Sequence, residues 1–92
     1  MESYKVLIRR SAVGELGRIP KKDLHRVIER VRSLETDPRP KGAEKLSAQE
    51  RYRIRQGDYR IVYGIDDDRR TVEVVKTGHR NEVYRRQVKD AG

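Results

Sequence analysis

Two stretches of this 92-residue chain concentrate side chains able to do chemistry. The first is YRIRQGDYRIVY, Tyr52 to Tyr63, which repeats Tyr-Arg-Ile on either side of Gly-Asp. With Arg51 just before it, Arg51, Arg53 and Arg55 recur at every second position, and Arg60 follows the Gly-Asp. A guanidinium keeps its proton at any physiological pH, and its planar fork matches phosphate oxygens. Such a cluster binds anions and stabilises negative charge as it develops. A solvated face with chance alternation is the alternative. The second stretch, KTGHRNEVYRR (Lys76 to Arg86), brings His79, Arg80 and Tyr84 together. These supply a base, an acid and anion stabilisers. With an unperturbed pKa near ~6.5, His79 suits proton transfer, or else a strand-end contact with RNA or solvent. Tyr84 also suits packing of the tail.

The elements that must position these residues follow from pattern. Tyr4–Arg10 reads as a strand. Ser11 offers an N-cap to a short helix, which Gly17 and Pro20 end. Leu24, Val27, Ile28, Val31 and Leu34 form one apolar stripe on a second helix, stopped by Pro38 and Pro40. Arg39–Glu50 reads as a connecting segment that Leu46 pins to the core. Three strands follow, Arg51–Gln56, Tyr59–Ile65 and Thr71–Thr77, with Asp66–Arg70 as a turn and a weakly helical tail from Asn81. The result is a single α+β domain over 1–92. It has a small antiparallel-rich sheet, two N-terminal helices on one face and a short C-terminal helix.

Gly57-Asp58 as a two-residue type II′ loop fixes the hairpin register. Arg55 then faces Arg60, Ile54 faces Ile61, and Tyr52 faces Tyr63. One face collects Tyr52, Ile54, Ile61, Tyr63 and Ile65, and the other the arginines. A one-residue slip would mix the faces, so burial selects this register. The Arg55–Arg60 pair costs a few tenths to ~1 kcal/mol, which a phosphate site would explain.

Composition narrows the partners. A net charge of +8 with 41% charged residues points to a polyanionic partner. With no cysteine, disulfides and thiolate metal sites are excluded, which fits the cytoplasm. His25 and His79 lack zinc spacing, so no metal is expected. No run is long enough to span a bilayer, and the start lacks a signal-peptide core. Neither a membrane nor a small-molecule cofactor is implicated.

AEKLSA (Ala43–Ala48), YRIRQGDYRIVYGID (Tyr52–Asp66) and GHRNEVYRR (Gly78–Arg86) resemble the RelE/ParE superfamily of toxins, closer to the RelE branch. The resemblance covers nearly the whole chain. It implies a ribosome-dependent endoribonuclease that cuts mRNA in the ribosomal A site without metal, by attack of the 2′-oxygen on phosphorus. It also implies a cognate antitoxin. Residue by residue, it implies Arg55, Arg60, Arg80 and Tyr84 as catalytic. Lys45, Arg51, Arg53 and His79 are the expected RNA contacts. Two departures stand out: arginine fills both Arg53 and Arg55, where relatives often carry lysine, and Ser47 stands where some have arginine. Arginine is a poor proton acceptor, so His79 or Tyr84 is the better acid/base candidate. A ParE-like binder of DNA gyrase and a non-catalytic RNA-binding module are the other readings.

Overall fold

A computed structural model describes residues 3–46 and 50–79. Its elements are β1 (Lys5–Ile8), α1 (Arg10–Leu16), α2 (Lys21–Ser33), β2 (Glu44–Leu46), β3 (Arg51–Gln56), β4 (Tyr59–Asp66) and β5 (Thr71–His79). The strands form one sheet in the order β1-β5-β4-β3-β2. β1 runs parallel to β5 and the other pairings are antiparallel. The α+β class and the helices on one face are as the sequence predicts. The weakly helical tail falls outside the described residues.

The core lies between the helices and one sheet face. Val27, Val31 and Leu34 at the α2 stripe, with Ala12, Leu16 and Ile19, meet Ile54, Ile61, Tyr63, Val72 and Val74. Ile28 departs from expectation: it is exposed, so the buried stripe is narrower than the apolar one. Nor does Ser11 cap α1. The strand runs straight into the helix, with Arg9 at the N-cap and its N–H donating to the Val74 carbonyl at 2.8 Å.

Two further corrections bear on the site. The segment read as a connector contains β2, which pairs with β3 through Glu44↔Arg53, Lys45↔Tyr52 and Leu46↔Arg51. Leu46 packs with Val62 and Val75 on the face away from the helices, rather than on the main core. The second correction is a bulge. Val62 pairs with Lys76 and Tyr63 with Val74, so Val75 is an extra residue on β5. A bulge shifts the phase of side-chain alternation. Thr77 and His79 therefore point to the helix side, along with Val72 and Val74.

Among the described residues, the outer edge of β5 beyond Val74 has no strand partner, because β1 gives way to α1 there. The Glu15 carboxylate of α1 accepts the Thr77 N–H at 2.9 Å, satisfying an edge donor beyond the end of β1.

Candidate functional site

The hairpin has the predicted register throughout: Gln56↔Tyr59, Arg55↔Arg60, Ile54↔Ile61, Arg53↔Val62 and Tyr52↔Tyr63. Gly57 has φ 60°, and Asp58 is not among the residues with positive φ. That combination is the type II′ turn, whose twist suits the strands. Opposed residues share a face, so Arg51, Arg53, Arg55 and Arg60 all lie on the face the helices leave open. Lys76, opposite Val62, joins them. Gly78 stands opposite Arg60 and brings no side chain to that face.

The arginines are not equivalent. Arg55 is exposed and makes no ion pair among the described residues. Arg60 is half-buried beside it. The Arg53 side chain is only 23% exposed and lies 3.2 Å from a carboxylate oxygen of Glu44. Its Nε is buried with no hydrogen-bond partner among the described residues. Arg53 is thus committed to Glu44, while Arg55 presents its charge outward. Four guanidinium groups on one small face, with the Lys76 amine beside them, make a strong anion site.

Two of the sequence-predicted contacts lie elsewhere. Lys45 pairs with Tyr52, which places it on the helix side, and its amine sits 4.0 Å from Glu50. His79 pairs with Tyr59, also on the helix side, and the two rings meet edge to face at 5.8 Å. The bulge at Val75 is the cause: counting alternation straight from Val72 and Val74 puts His79 with the arginines. Arg80 and Tyr84 lie outside the described residues. Sequence reasoning missed Glu44 and Lys76. Glu44 alternates with Lys45 and Leu46, a signal visible only once that segment is read as a strand.

The tyrosines of the motif do structural work on the other face. Tyr52 and Tyr63 stack at 5.9 Å, and the Arg39 guanidinium lies over Tyr52 at 5.4 Å. The buried Tyr63 hydroxyl donates to the Pro38 carbonyl at 2.7 Å. Burial pushes its pKa up to about 12, so it is no proton acceptor near neutral pH. Arg39 forks onto Asp67 at 2.9 and 3.2 Å, and Tyr4 donates to the same carboxylate at 2.7 Å. The Arg39 bonds, then that of Tyr4, hold the Asp67 carboxyl below its ordinary range. Together these contacts clamp the α2–β2 loop to the sheet and fix the hairpin that carries the arginines.

No helix among the described residues is long and apolar enough to cross a membrane. Residues 6–84 match the family model described as "ParE toxin of type II toxin-antitoxin system, parDE". The chain is 34% identical over 84 residues to Toxin RelE of Mycobacterium tuberculosis, spanning 89% of this chain and 87% of that protein. Among solved structures, it resembles the toxin–antitoxin complex RelBE2 from Mycobacterium tuberculosis, with a TM-score of 0.77 and 28% identity. That match covers 86% of this chain and 93% of the other. The archaeal RelE–RelB complex from Pyrococcus horikoshii aligns with a TM-score of 0.75 and 30% identity, covering 84% and 94%. With the family model matched over residues 6–84 and a RelE toxin aligned over 89% of the chain, this chain belongs to the RelE/ParE superfamily of type II toxin–antitoxin toxins.

Proposed function

We propose that this toxin is a ribosome-dependent endoribonuclease that cuts mRNA in the A site and so halts translation in the cytoplasm. The observation that carries the reading is Arg55 directly opposite Arg60 on the open sheet face. Two guanidinium groups opposite each other make a cradle for a phosphate of the RNA. The likeness to a protein named Toxin RelE supports it.

In this reading the ribose 2′-oxygen attacks the adjacent phosphorus and the P–O5′ bond breaks. The products are a 2′,3′-cyclic phosphate and a 5′-hydroxyl. Arg55 and Arg60 hold the non-bridging oxygens and stabilise the extra charge of the phosphorane. Arginine does not take the 2′-proton, and His79 is on the wrong face. Glu44 carries a carboxylate acceptor on the right one, held in place by Arg53 at 3.2 Å. Arg51 and Lys76 extend the basic surface along the RNA. Arg80 and Tyr84 complete the site by stabilising the leaving group and orienting or protonating the nucleotide. The ribosome supplies alignment of the 2′-oxygen with the leaving oxygen.

The two solved relatives described above are toxin–antitoxin complexes. By that likeness, a cognate antitoxin binds this chain. The ParE family model favours a second reading, a gyrase-binding toxin without nuclease activity. Primer extension on cellular mRNA after induction separates the two: codon-phased cuts mark the nuclease, and DNA damage with intact mRNA marks the gyrase binder.

A further inference from the structure

Glu44, Arg53, Val62 and Lys76 form one row across β2, β3, β4 and β5, each opposite the next. Glu44 and Lys76 stand at its ends, three strand spacings or ~14 Å apart at the backbone. Arg55, Arg60 and Gly78 form the neighbouring row, nearer the hairpin tip. Lys76 owes its place to the β5 bulge. Without the extra Val75, alternation from Val72 and Val74 would turn Lys76 under the helices. With it, Val75 packs with Val62 and Leu46, and Lys76 joins the arginines on the open face. Bulges re-aim side chains in this way and are over-represented beside active sites.

We propose that Lys76 is the general acid of the cut, giving the leaving 5′-oxygen its proton from the side of the phosphate opposite Glu44. The inference rests on the nuclease reading. As the bond from the 2′-oxygen to phosphorus forms, the 2′-proton passes to the Glu44 carboxylate. As the P–O5′ bond breaks, the 5′-oxygen takes a proton from the Lys76 ammonium, which becomes a neutral amine. Exchange with water restores both groups, so the step balances without a further reactant.

The surroundings of Lys76 suit the role. A guanidinium stabilises a departing alkoxide but does not give up its proton, whereas an ammonium on a flexible stem can. Lys76 makes no ion pair among the described residues. The exposed carboxylate three residues before it, Glu73, is engaged by Arg9 at 3.3 Å. Gly78, two residues further along β5, leaves the approach from Lys76 to a phosphate on Arg60 clear of side chains.

Sulfur in place of the 5′-oxygen tests the step, because a thiol, with a pKa of ~8.5, leaves as the thiolate without a proton. Wild type, Lys76→Ala and Lys76→Arg are compared on programmed ribosomes, with matched mRNAs carrying oxygen or bridging sulfur at the cut. Both variants should cut the oxygen RNA about 10²- to 10⁴-fold more slowly than wild type, and the sulfur RNA within about tenfold of it. Lys76→Arg keeps the charge, so its loss and rescue mark a proton rather than an electrostatic contact. Wild-type rates on the oxygen RNA, or an equal loss on both RNAs, overturn the proposal and leave the nuclease reading standing. Wild-type toxin that cuts neither RNA overturns the nuclease reading, and the proposal with it.

Discussion

Glu44 and Arg53 face each other across β2 and β3, with carboxylate and guanidinium 3.2 Å apart on the open face of the sheet. The Glu44 side chain is 54% exposed, so the pair contributes at most ~1 kcal/mol to stability. In the proposed nuclease, Glu44 is the carboxylate that takes the 2′-proton. Glu44→Gln should move the melting temperature by no more than about 5 °C. Single-turnover cleavage should fall by about 10²- to 10⁴-fold, the range for loss of a general base. Cleavage at the wild-type rate would remove Glu44 from the mechanism.

Arg55→Gln separates binding from folding. The change relieves the repulsion with Arg60, so thermal stability should rise or hold, by up to ~1 kcal/mol. RNA cleavage should fall. A clear drop in melting temperature would mean that Arg55 supports the fold rather than a ligand.

The arginine ladder was legible in the sequence because burial dictates it. Ile54, Ile61, Tyr52 and Tyr63 reach the core only in the two-residue register, and every arginine then faces the other way. β2 was not legible: a three-residue strand rich in charge has no local signal and exists only through pairing with β3. The face of His79 was hidden by the bulge. The adjacent Val74 and Val75 were its only trace, one packing under the helices and one with Leu46 and Val62 on the open side. Ile28 shows that an apolar stripe can be wider than the core it feeds. The Arg39–Asp67–Tyr4 contacts join three distant segments and leave no mark on periodicity.

Tyr63→Phe tests the clamp on the α2–β2 loop. It removes the hydrogen bond to Pro38 and leaves a buried carbonyl unpaired, costing about 1–3 kcal/mol. Because burial raises the Tyr63 pKa, the folded state favours the neutral phenol. Its contribution is full below pH ~10 and is lost as pH rises toward 12. Urea denaturation across that window should show a shallower alkaline loss in the variant than in the parent.

Asp67→Asn tests the acid side. Arg39 and Tyr4 lower the Asp67 pKa in the folded protein. Its contribution is therefore present above the unfolded value of ~3.9 and is lost as pH falls through the lower, folded value. The parent should lose more stability than the variant between neutral pH and that window. Identical acid limbs in the two proteins would show that the pair does not bear on folding.

The central claim is that the open arginine face cuts RNA, and Arg60 is its most direct test. Purified toxin is added to ribosomes carrying a defined mRNA, and the 5′ and 3′ products are mapped and end-analysed. Wild type should give A-site cuts ending in 2′,3′-cyclic phosphate, and folded Arg60→Ala should cut at least about 10²-fold more slowly. Intact mRNA with the wild-type toxin, or undiminished cleavage by Arg60→Ala, would contradict it.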